Sequence, residues 1–258
     1  TAPTTAPPAA AASPAGAGPM ASATLEQAQW AKLELTARKL ALAPGMRVLD
    51  VGCGWGSFVI HAAREHGVEA VGITLSEPQA REARRRVAEA GVADRVEVRA
   101  QDYREIAGER FDAIASIGMV EHVGDAQIEV YAQRLAKLIA PGGRLLNHGI
   151  ARLRHTDPAA GAFSERYVFP DGETLHLSRV LLALERAGFI TRQVEEFGAD
   201  YAETLSHWIE RLERDLPRAI ALGGEERVRV WRLYLRAARN GFRIDFTSVY
   251  QALCTAPN

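Results

Sequence analysis

A glycine-rich stretch directly after a short apolar segment is the strongest chemical signal in the sequence. Met46–Val51 is typical of a buried strand, and three glycines alternate with other residues over 52–56. Glycines let the backbone turn sharply and come close to a ligand, and a helix that begins there offers free N–H groups. Ser57 stands where a dinucleotide fingerprint has its third glycine, and Asp50 precedes the loop. A carboxylate at this place favours a cationic ligand over a pyrophosphate.

The loop has a D-x-G-x-G-x-G string over 50–56, which resembles motif I of the class I S-adenosylmethionine (SAM) methyltransferases. The resemblance implies that Asp50 helps to place the amino group of the methionine part, with Gly52, Cys53 and Gly54 beside it. The alternative interpretation is a glycine turn that only packs a helix on a sheet. A G-x-G alone would favour that alternative, whereas the whole string favours SAM binding.

Strands and helices alternate around this loop, and the alternation predicts βαβ crossovers and a parallel sheet. The predicted strands are 46–51, 68–73, 96–100, 111–117, 144–151, 189–197 and 241–253. Helices after the fifth strand are predicted over 177–187, 202–221 and 225–239. With the motif I resemblance, we expect an α/β fold of the Rossmann-like class I methyltransferase type. It has a mostly parallel seven-stranded sheet, helices on both faces and a helical insertion after strand five.

The chain divides near residue 24. Residues 1–23 carry no charge and are rich in Ala and Pro, so we predict a flexible tail or linker there. Residues 24–258 are predicted to form the SAM-dependent methyltransferase domain.

The composition of the chain argues against several classes of protein. The 31 basic and 32 acidic side chains give a net charge of −1, which argues against a nucleic-acid partner. The chain has no secretory signal pattern and no apolar run long enough for a membrane span, so we expect a cytoplasmic protein. Two cysteines, Cys53 and Cys254, make no disulfide framework and have no zinc-site spacing, so no metal ligand is predicted.

Further strings follow the predicted strand ends and extend the resemblance. They are 73–76, 101–103, 116–124 (S-I-G-M-V-E-H-V-G), 167–172, 200–205 (D-Y-A-E-T-L) and 231–235. The set resembles the cyclopropane-fatty-acid synthase and mycolic acid cyclopropane synthase family over Thr24 to Leu253. The E-H-V-G and Y-x-x-T-L strings make this likeness more specific than motif I alone.

The resemblance implies which residues meet the nucleoside part of SAM. Thr74, Leu75 and Gln79 are expected at the ribose and adenosine. Asp102 would accept a hydrogen bond from the adenine amino group, with Gln101 and Tyr103 next to it and Ile117 packed on the adenine ring. For Asp102 the alternative interpretation is a helix N-cap.

Members of that family add a SAM methyl group to the cis double bond of an acyl chain, which leaves a carbocation. A bound bicarbonate ion is thought to remove a proton from the added methyl group, after which a cyclopropane ring closes. The resemblance implies that Glu121, His148, Tyr201 and a backbone group of Ile150 hold this ion. Glu121 must then be protonated or meet a bicarbonate O–H. The alternatives are a satisfied polar pair at Glu121–His122 and a core histidine at His148.

One family feature is missing. The family has a cysteine about nine residues before its T-L-x-E-A-Q string, whereas Ala15 stands nine positions before Thr24. The bicarbonate site is therefore expected to lack one family contact. A weaker base would let the cation end as a methyl-branched or methylene product instead of a ring.

The implied partner is an unsaturated lipid or acyl substrate, reached by peripheral contact with the inner face of a membrane. Phe163, Tyr167 and Phe169, in the insertion, are predicted to form a lid over the acyl chain. A homodimer is left open. Two other functions also stay open: a small-molecule N-methyltransferase, since some plant alkaloid N-methyltransferases share the E-H string, and a non-catalytic SAM-binding module.

Overall fold

The computed structural model describes residues 24–154, 162–170 and 172–257. The predicted tail over 1–23, with Ala15, lies outside the described residues.

Within these residues, seven strands form one sheet in the order β3-β2-β1-β4-β5-β7-β6. The strands are β1 Arg47–Val51, β2 Glu69–Thr74, β3 Val96–Ala100, β4 Phe111–Ile117, β5 Ile139–Arg152, β6 Ile190–Glu196 and β7 Thr247–Thr255. Strands β1 to β5 pair in parallel, and β7 pairs antiparallel with both β5 and β6. This confirms the predicted mostly parallel seven-stranded sheet.

Nine α-helices surround the sheet within the described residues. They are α1 Leu25–Lys39, α2 Ser57–His66, α3 Glu77–Glu89, α4 Ile128–Leu138, α5 Ala162–Tyr167, α6 Leu177–Arg186, α7 Gly198–Arg214, α8 Leu216–Gly223 and α9 Glu225–Arg243. Helix α1 begins with a capping box, because Thr24 and Gln27 bond to each other's backbone N–H. Helices α5 and α6 follow β5 and form the predicted helical insertion after strand five.

Three boundaries differ from the sequence predictions. Gly241–Arg243 belongs to α9, and the last strand begins only at Thr247. The helix predicted over 202–221 is two helices, since Pro217 lies in the first turn of α8. Strand β5 begins at Ile139 instead of 144 and includes the Pro-Gly-Gly segment. Helix packing overrides the glycine signal at Gly241, whereas Pro217 begins a new helix as proline commonly does. The Pro-Gly-Gly segment lies where the register of β5 against β4 shifts, between the pairs Phe111–Ile139 and Ala113–Arg144.

Apolar side chains cover both faces of the sheet. One buried cluster joins the sheet to α4 and α6, and another joins it to α1, α2 and α3. A third cluster lies between α7, α9 and β7. The carboxyl ends of β1, β2, β4 and β5 thus meet at one edge, where the chain is free to form loops. Among the described residues, none of the helices is both long and apolar enough to cross a membrane.

Candidate active site at the carboxyl edge of the sheet

The glycine-rich loop sits between the ends of β1 and β2. The backbone N–H groups of Gly52 and Cys53 both donate to the carbonyl oxygen of Ile73, at 3.0 and 2.9 Å. Gly52 has φ +82°, and a Cβ there would lie 3.2 Å from Cβ of Met119. Because φ is left-handed and space is short, a side chain at this position would close the cradle.

Asp50 lies beneath this loop with its side chain almost fully buried. Its Oδ1 atom has no hydrogen-bond partner among the described residues. Burial raises the pKa of Asp50 to about 7, and the nearby Lys32 ammonium opposes this rise only in part. An unpaired buried carboxyl at the end of β1 is suited to receive a cationic group. Its charge and position fit the amino group of SAM.

Cys53 packs where Gly72 leaves room, since a Cβ at Gly72 would be 3.0 Å from Sγ of Cys53. Burial raises the pKa of Cys53 to about 12, with the Asp50 carboxylate adding to the rise. Such a thiol stays protonated at neutral pH and is a poor nucleophile. Cys53 therefore lines the loop as a neutral thiol.

Two of the residues predicted to contact the nucleoside, Thr74 at the end of β2 and Gln79 in α3, are hydrogen-bonded to each other. The Thr74 hydroxyl bonds to Oε1 of Gln79 at 2.7 Å and accepts from the N–H of Ser76. Leu75 is 75 % exposed at the strand end. This short turn leaves an apolar side chain open at the edge, which fits contact with a flat nucleoside.

The predicted contacts after β3 have structural partners. Asp102 caps a short 3₁₀ turn by accepting from the N–H of Arg104, and its two oxygens also bond the Arg104 guanidinium. The capping interpretation of Asp102 therefore holds in the structure, and an adenine amino group would have to share this carboxylate. Tyr103 is 9 % exposed and packs edge-to-face on Tyr131, with ring centroids 5.7 Å apart. Ile117 is half-buried against the cluster of α1, α2 and α3.

Gln101, directly after β3, lies at the same edge, because its backbone N–H donates to the carbonyl oxygen of Thr74 at the end of β2, at 3.0 Å. The predicted SAM residues thus share the edge formed by the ends of β1, β2, β3 and β4.

Glu121 lies in a 3₁₀ turn after β4 and reaches strand β5. Its Oε1 accepts from the backbone N–H of Ile150 at 2.7 Å, whereas its Oε2 is buried without a partner among the described residues. Burial raises the pKa of Glu121. The Ile150 N–H, expected to face an anion, is thus already used by Glu121. A neutral Glu121 would instead present an O–H donor.

Gly149 makes room for this carboxyl group. A Cβ at Gly149 would lie 2.5 Å from Cγ1 of Val120 and 3.5 Å from Oε2 of Glu121. Gly149 could not be identified from the sequence, because it lies inside a strand and no turn or motif marks it.

His148 is held by a row of side chains across three strands. His148 faces Gln251 in the antiparallel β5–β7 pair, and Gln251 faces Glu195 in β6. Nε2 of Gln251 lies 3.1 Å from Nδ1 of His148, and Oε1 of Gln251 accepts from Nζ of Lys39 at 2.6 Å. Lys39 also pairs with Glu195, and its ammonium lies 5.2 Å from the centroid of the Phe197 ring.

This row fixes the tautomer of His148. The Lys39 ammonium is only a donor, so the Gln251 amide must turn its oxygen to Lys39 and its NH₂ to His148. Nδ1 of His148 is therefore the acceptor, and Nε2 carries the proton. Burial, together with the charges of Lys32 and Lys39, lowers the pKa of His148 to about 3. His148 is thus a neutral Nε2–H donor. Sequence analysis missed Lys39 and Gln251, which carry no motif.

Tyr201, in the first turns of α7, packs its ring on Phe242 and Trp208, with centroids 5.0 and 6.1 Å apart. Burial raises the pKa of Tyr201 to about 12, and the negative charge of Glu121 contributes to the rise. Its hydroxyl therefore keeps its proton at neutral pH and remains a donor near Glu121.

The insertion after β5 packs over the 3₁₀ turn that carries Glu121. The N–H of Glu173 donates to the carbonyl oxygen of Glu121 at 2.9 Å. The Phe169 ring packs edge-to-face on His122, Trp231 and Tyr234, with centroids 5.5–6.3 Å apart. Of the predicted lid residues, Phe169 thus covers the site, while Phe163 and Tyr167 pack on each other at 5.4 Å.

Comparison with known proteins gives consistent results. The family model for mycolic acid cyclopropane synthetase matches residues 18–252. A Pseudomonas putida protein named "Probable fatty acid methyltransferase" is 42% identical over 91% of this chain and 61% of its own length. The Escherichia coli cyclopropane-fatty-acyl-phospholipid synthase is 35% identical over 89% of this chain and 58% of its own length. This chain spans about 60% of the length of these two relatives.

Solved structures share the fold. The cyclopropane synthase MmaA2 from Mycobacterium tuberculosis has a TM-score of 0.85 at 32% identity, covering 90% of this chain and 85% of that chain. Mycolic acid cyclopropane synthase CmaA1 complexed with SAH and CTAB has a TM-score of 0.85 at 31% identity, covering 90% and 86%. Coclaurine N-methyltransferase, at 23% identity and a TM-score of 0.78, shares the fold alone.

Proposed function

The chain belongs to the mycolic acid cyclopropane synthetase family, and from this premise we propose that it methylates an unsaturated acyl chain at its cis double bond. The acceptor is a phospholipid or a related lipid, and the product is a cyclopropane or a methyl-branched chain. The observation that carries the proposal is the buried, unpartnered Oε2 of Glu121 next to Gly149. In an amine methyltransferase this carboxyl would act as a general base, whereas in the lipid reaction it would be a neutral donor to an anion, the form that its raised pKa favours.

Residues of the glycine-rich loop and Asp50 are proposed to hold SAM, which supplies an electrophilic methyl group when bound. The Asp50 carboxyl would pair with the amino group of the methionine part, and Gly52 and Gly54 would let the backbone approach it. Thr74, Leu75 and Gln79 would form the nucleoside side of the cradle. Both sets lie at the carboxyl edge of the sheet, where open α/β sheets bind ligands.

Methyl addition to an alkene leaves a cation on the acyl chain, and the side chains around Glu121 suit such a cation. Three aromatic rings, Phe169, Tyr201 and Tyr234, lie in this region, and aromatic faces attract cations. Burial raises the pKa of Glu121 and so favours its neutral form. A neutral carboxyl does not trap the cation as an ester. These groups would also exclude water, which would otherwise add to the cation.

A base must then take a proton from the added methyl group, and we propose that a bound bicarbonate does so. Three donors would hold it: Nε2–H of His148, the hydroxyl of Tyr201 and the O–H of a protonated Glu121. The Ile150 N–H acts one step away, by fixing the Glu121 carboxyl. Without the family cysteine, a weaker hold on the anion would favour a methyl-branched product.

The first test is turnover of methyl-labelled SAM with vesicles of unsaturated phospholipid, with and without bicarbonate. Products are read by mass spectrometry as fatty acid methyl esters. We expect a gain of one CH₂ unit per modified chain and a rate that rises with bicarbonate. Glu121→Ala should lose about 10²–10³-fold in kcat. Glu69→Gln, at the opposite edge of the sheet, is the matched control and should keep wild-type activity. Binding of SAM without any lipid product would refute the lipid proposal and favour an amine acceptor.

A lipid substrate also leads us to propose peripheral contact with the inner face of a cytoplasmic membrane. Flotation of the protein with phospholipid vesicles tests this contact. Protein that stays at the bottom of the gradient with and without SAM would argue against it. Sedimentation equilibrium of the free protein tests whether a homodimer forms.

A further inference from the structure

Three potential metal ligands converge on the side of the sheet covered by α1 and α2. Nε2 of His61 lies 3.2 Å from Oε2 of Glu34, and Nε2 of His66 lies 3.0 Å from the same oxygen. One ligand atom from each side chain lies within 4.8 Å of the others. Glu34 comes from α1, and both histidines come from α2.

The donor set matches a borderline-soft divalent ion. Zinc binds imidazole nitrogen and carboxylate oxygen at about 2.0–2.2 Å, so tetrahedral ligand atoms stand about 3.3 Å apart. The two distances from Oε2 of Glu34 are close to this spacing. The geometry points to a site at which Glu34, His61 and His66 bind one zinc-type divalent metal ion.

The surroundings leave space for the ion and for water. The side chain of Glu34 is 22% exposed and that of His66 is 17% exposed, whereas His61 is buried. A cavity of about 450 Å³, lined by Trp30, His61 and Arg64 among others, borders the site at His61. Three protein ligands leave a fourth position that water can fill.

The position of the site indicates its role. Helix α2 starts at Ser57, directly after the glycine-rich loop, and ends at His66, close to the start of β2. His66 therefore lies towards the edge opposite the candidate active site. An ion there would join α1 to α2 and would stabilise the first helix of the domain against the sheet. It would not contact SAM or the acyl chain.

The competing explanation is a carboxylate that accepts hydrogen bonds from two neutral imidazoles. Both arrangements satisfy Glu34, but only a metal site gives stoichiometric binding that depends on both histidines. The test uses the full chain without a polyhistidine tag, after treatment with a chelator. Zn²⁺ is titrated in competition with a chromophoric chelator, and bound metal is measured after dialysis.

We expect one Zn²⁺ per chain and a thermal midpoint that rises with Zn²⁺. His66→Gln should weaken binding by at least about 10–100-fold, which is the loss that even outer-shell partners cause. His61→Gln should act alike. The matched control is His207→Gln on α7, whose side chain pairs with Glu203 at 3.7 Å and has no third ligand among the described residues. It should leave Zn²⁺ binding unchanged.

Co²⁺ gives an independent readout, because its visible spectrum reports low-symmetry coordination by nitrogen and oxygen. Wild-type protein that binds Zn²⁺ no more tightly than His66→Gln would overturn the proposal. An equal rise in thermal midpoint of the wild type and His66→Gln with Zn²⁺ would also overturn the proposal. Because His66 is partly exposed, His66→Gln should fold even where the buried His61→Gln does not, and circular dichroism checks this.

Discussion

Substitution of Gly149 by alanine should disable the candidate active site through one methyl group. The added Cβ would lie 2.5 Å from Cγ1 of Val120, whereas carbon atoms in contact prefer about 3.5–4.0 Å. Val120 is buried and must move by about 1 Å or more. It directly precedes Glu121, so the carboxyl group moves with it and loses its bond to the Ile150 N–H.

The expected magnitude follows from this displacement. Overpacking of a buried position costs about 1–3 kcal/mol of unfolding free energy. For a domain of this size, that lowers the thermal midpoint by roughly 2–12 °C. A misplacement of about 1 Å at a reacting group costs about 10²-fold in rate. We therefore expect kcat/KM of Gly149→Ala to fall about 100-fold while the protein remains folded.

The assay is methyl transfer from labelled SAM to unsaturated phospholipid vesicles, paired with thermal unfolding. Val120→Ala removes the clashing methyl group, so the double variant with Gly149→Ala should recover most of the lost activity. The matched control is Gly241→Ala in α9, where an added Cβ would have no neighbour closer than 3.7 Å. It should leave activity unchanged. Gly149→Ala with kcat/KM within about threefold of wild type would refute the reasoning. So would a folded double variant as inactive as the single one.

Three further predictions concern the same edge of the sheet. Gln251→Leu should lower kcat/KM because His148 loses the donor that fixes its tautomer. One hydrogen bond contributes about 0.5–1.5 kcal/mol, so the expected loss is about 2- to 13-fold. Unchanged kinetics would exclude a positioning role for Gln251. Since burial raises the pKa of Asp50 to about 7, the carboxyl is neutral below that pH, and a cationic ligand must displace a proton. The affinity for a SAM analogue should therefore fall by up to tenfold per pH unit below about 7, measured by calorimetry, and Asp50→Asn should remove this pH dependence. Cys53→Ala should keep activity. Iodoacetamide should not inactivate the wild type at pH 8, because the pKa of the Cys53 thiol is about 12. Rapid inactivation of the wild type that Cys53→Ala prevents would contradict the assignment of Cys53 as an unreactive thiol.

The local framework of the site could be predicted from the sequence. The strand before the glycine-rich loop, the loop itself and the alternation of strands with helices depend on residues close in the chain. These signals placed Asp50 and Gly52 at the ligand edge, and the structure puts them there. They failed at Gly241–Arg243, where helix packing holds a glycine inside α9.

The side chains that position the predicted site residues could not be predicted. Gln251 follows His148 by 103 residues, and the two meet because the antiparallel register of β5 and β7 sets them opposite each other. Lys39 reaches this pair from α1. No local pattern encodes that register, since a shift by one residue would turn the side chains of a strand to its other face.

The sequence by itself determined the fold class, the family and the chemical types at the carboxyl edge, because glycine conformation, helix capping and hydrophobic alternation are local properties of the chain. Only the tertiary structure decided the state of those groups. Burial raises the pKa of Glu121, the row from Lys39 to His148 assigns the proton to Nε2, and the packing of α1 on α2 brings Glu34 to two histidines. Desolvation and the geometry of hydrogen-bond donors arise only when distant parts of the chain pack together, so no local sequence pattern predicts them.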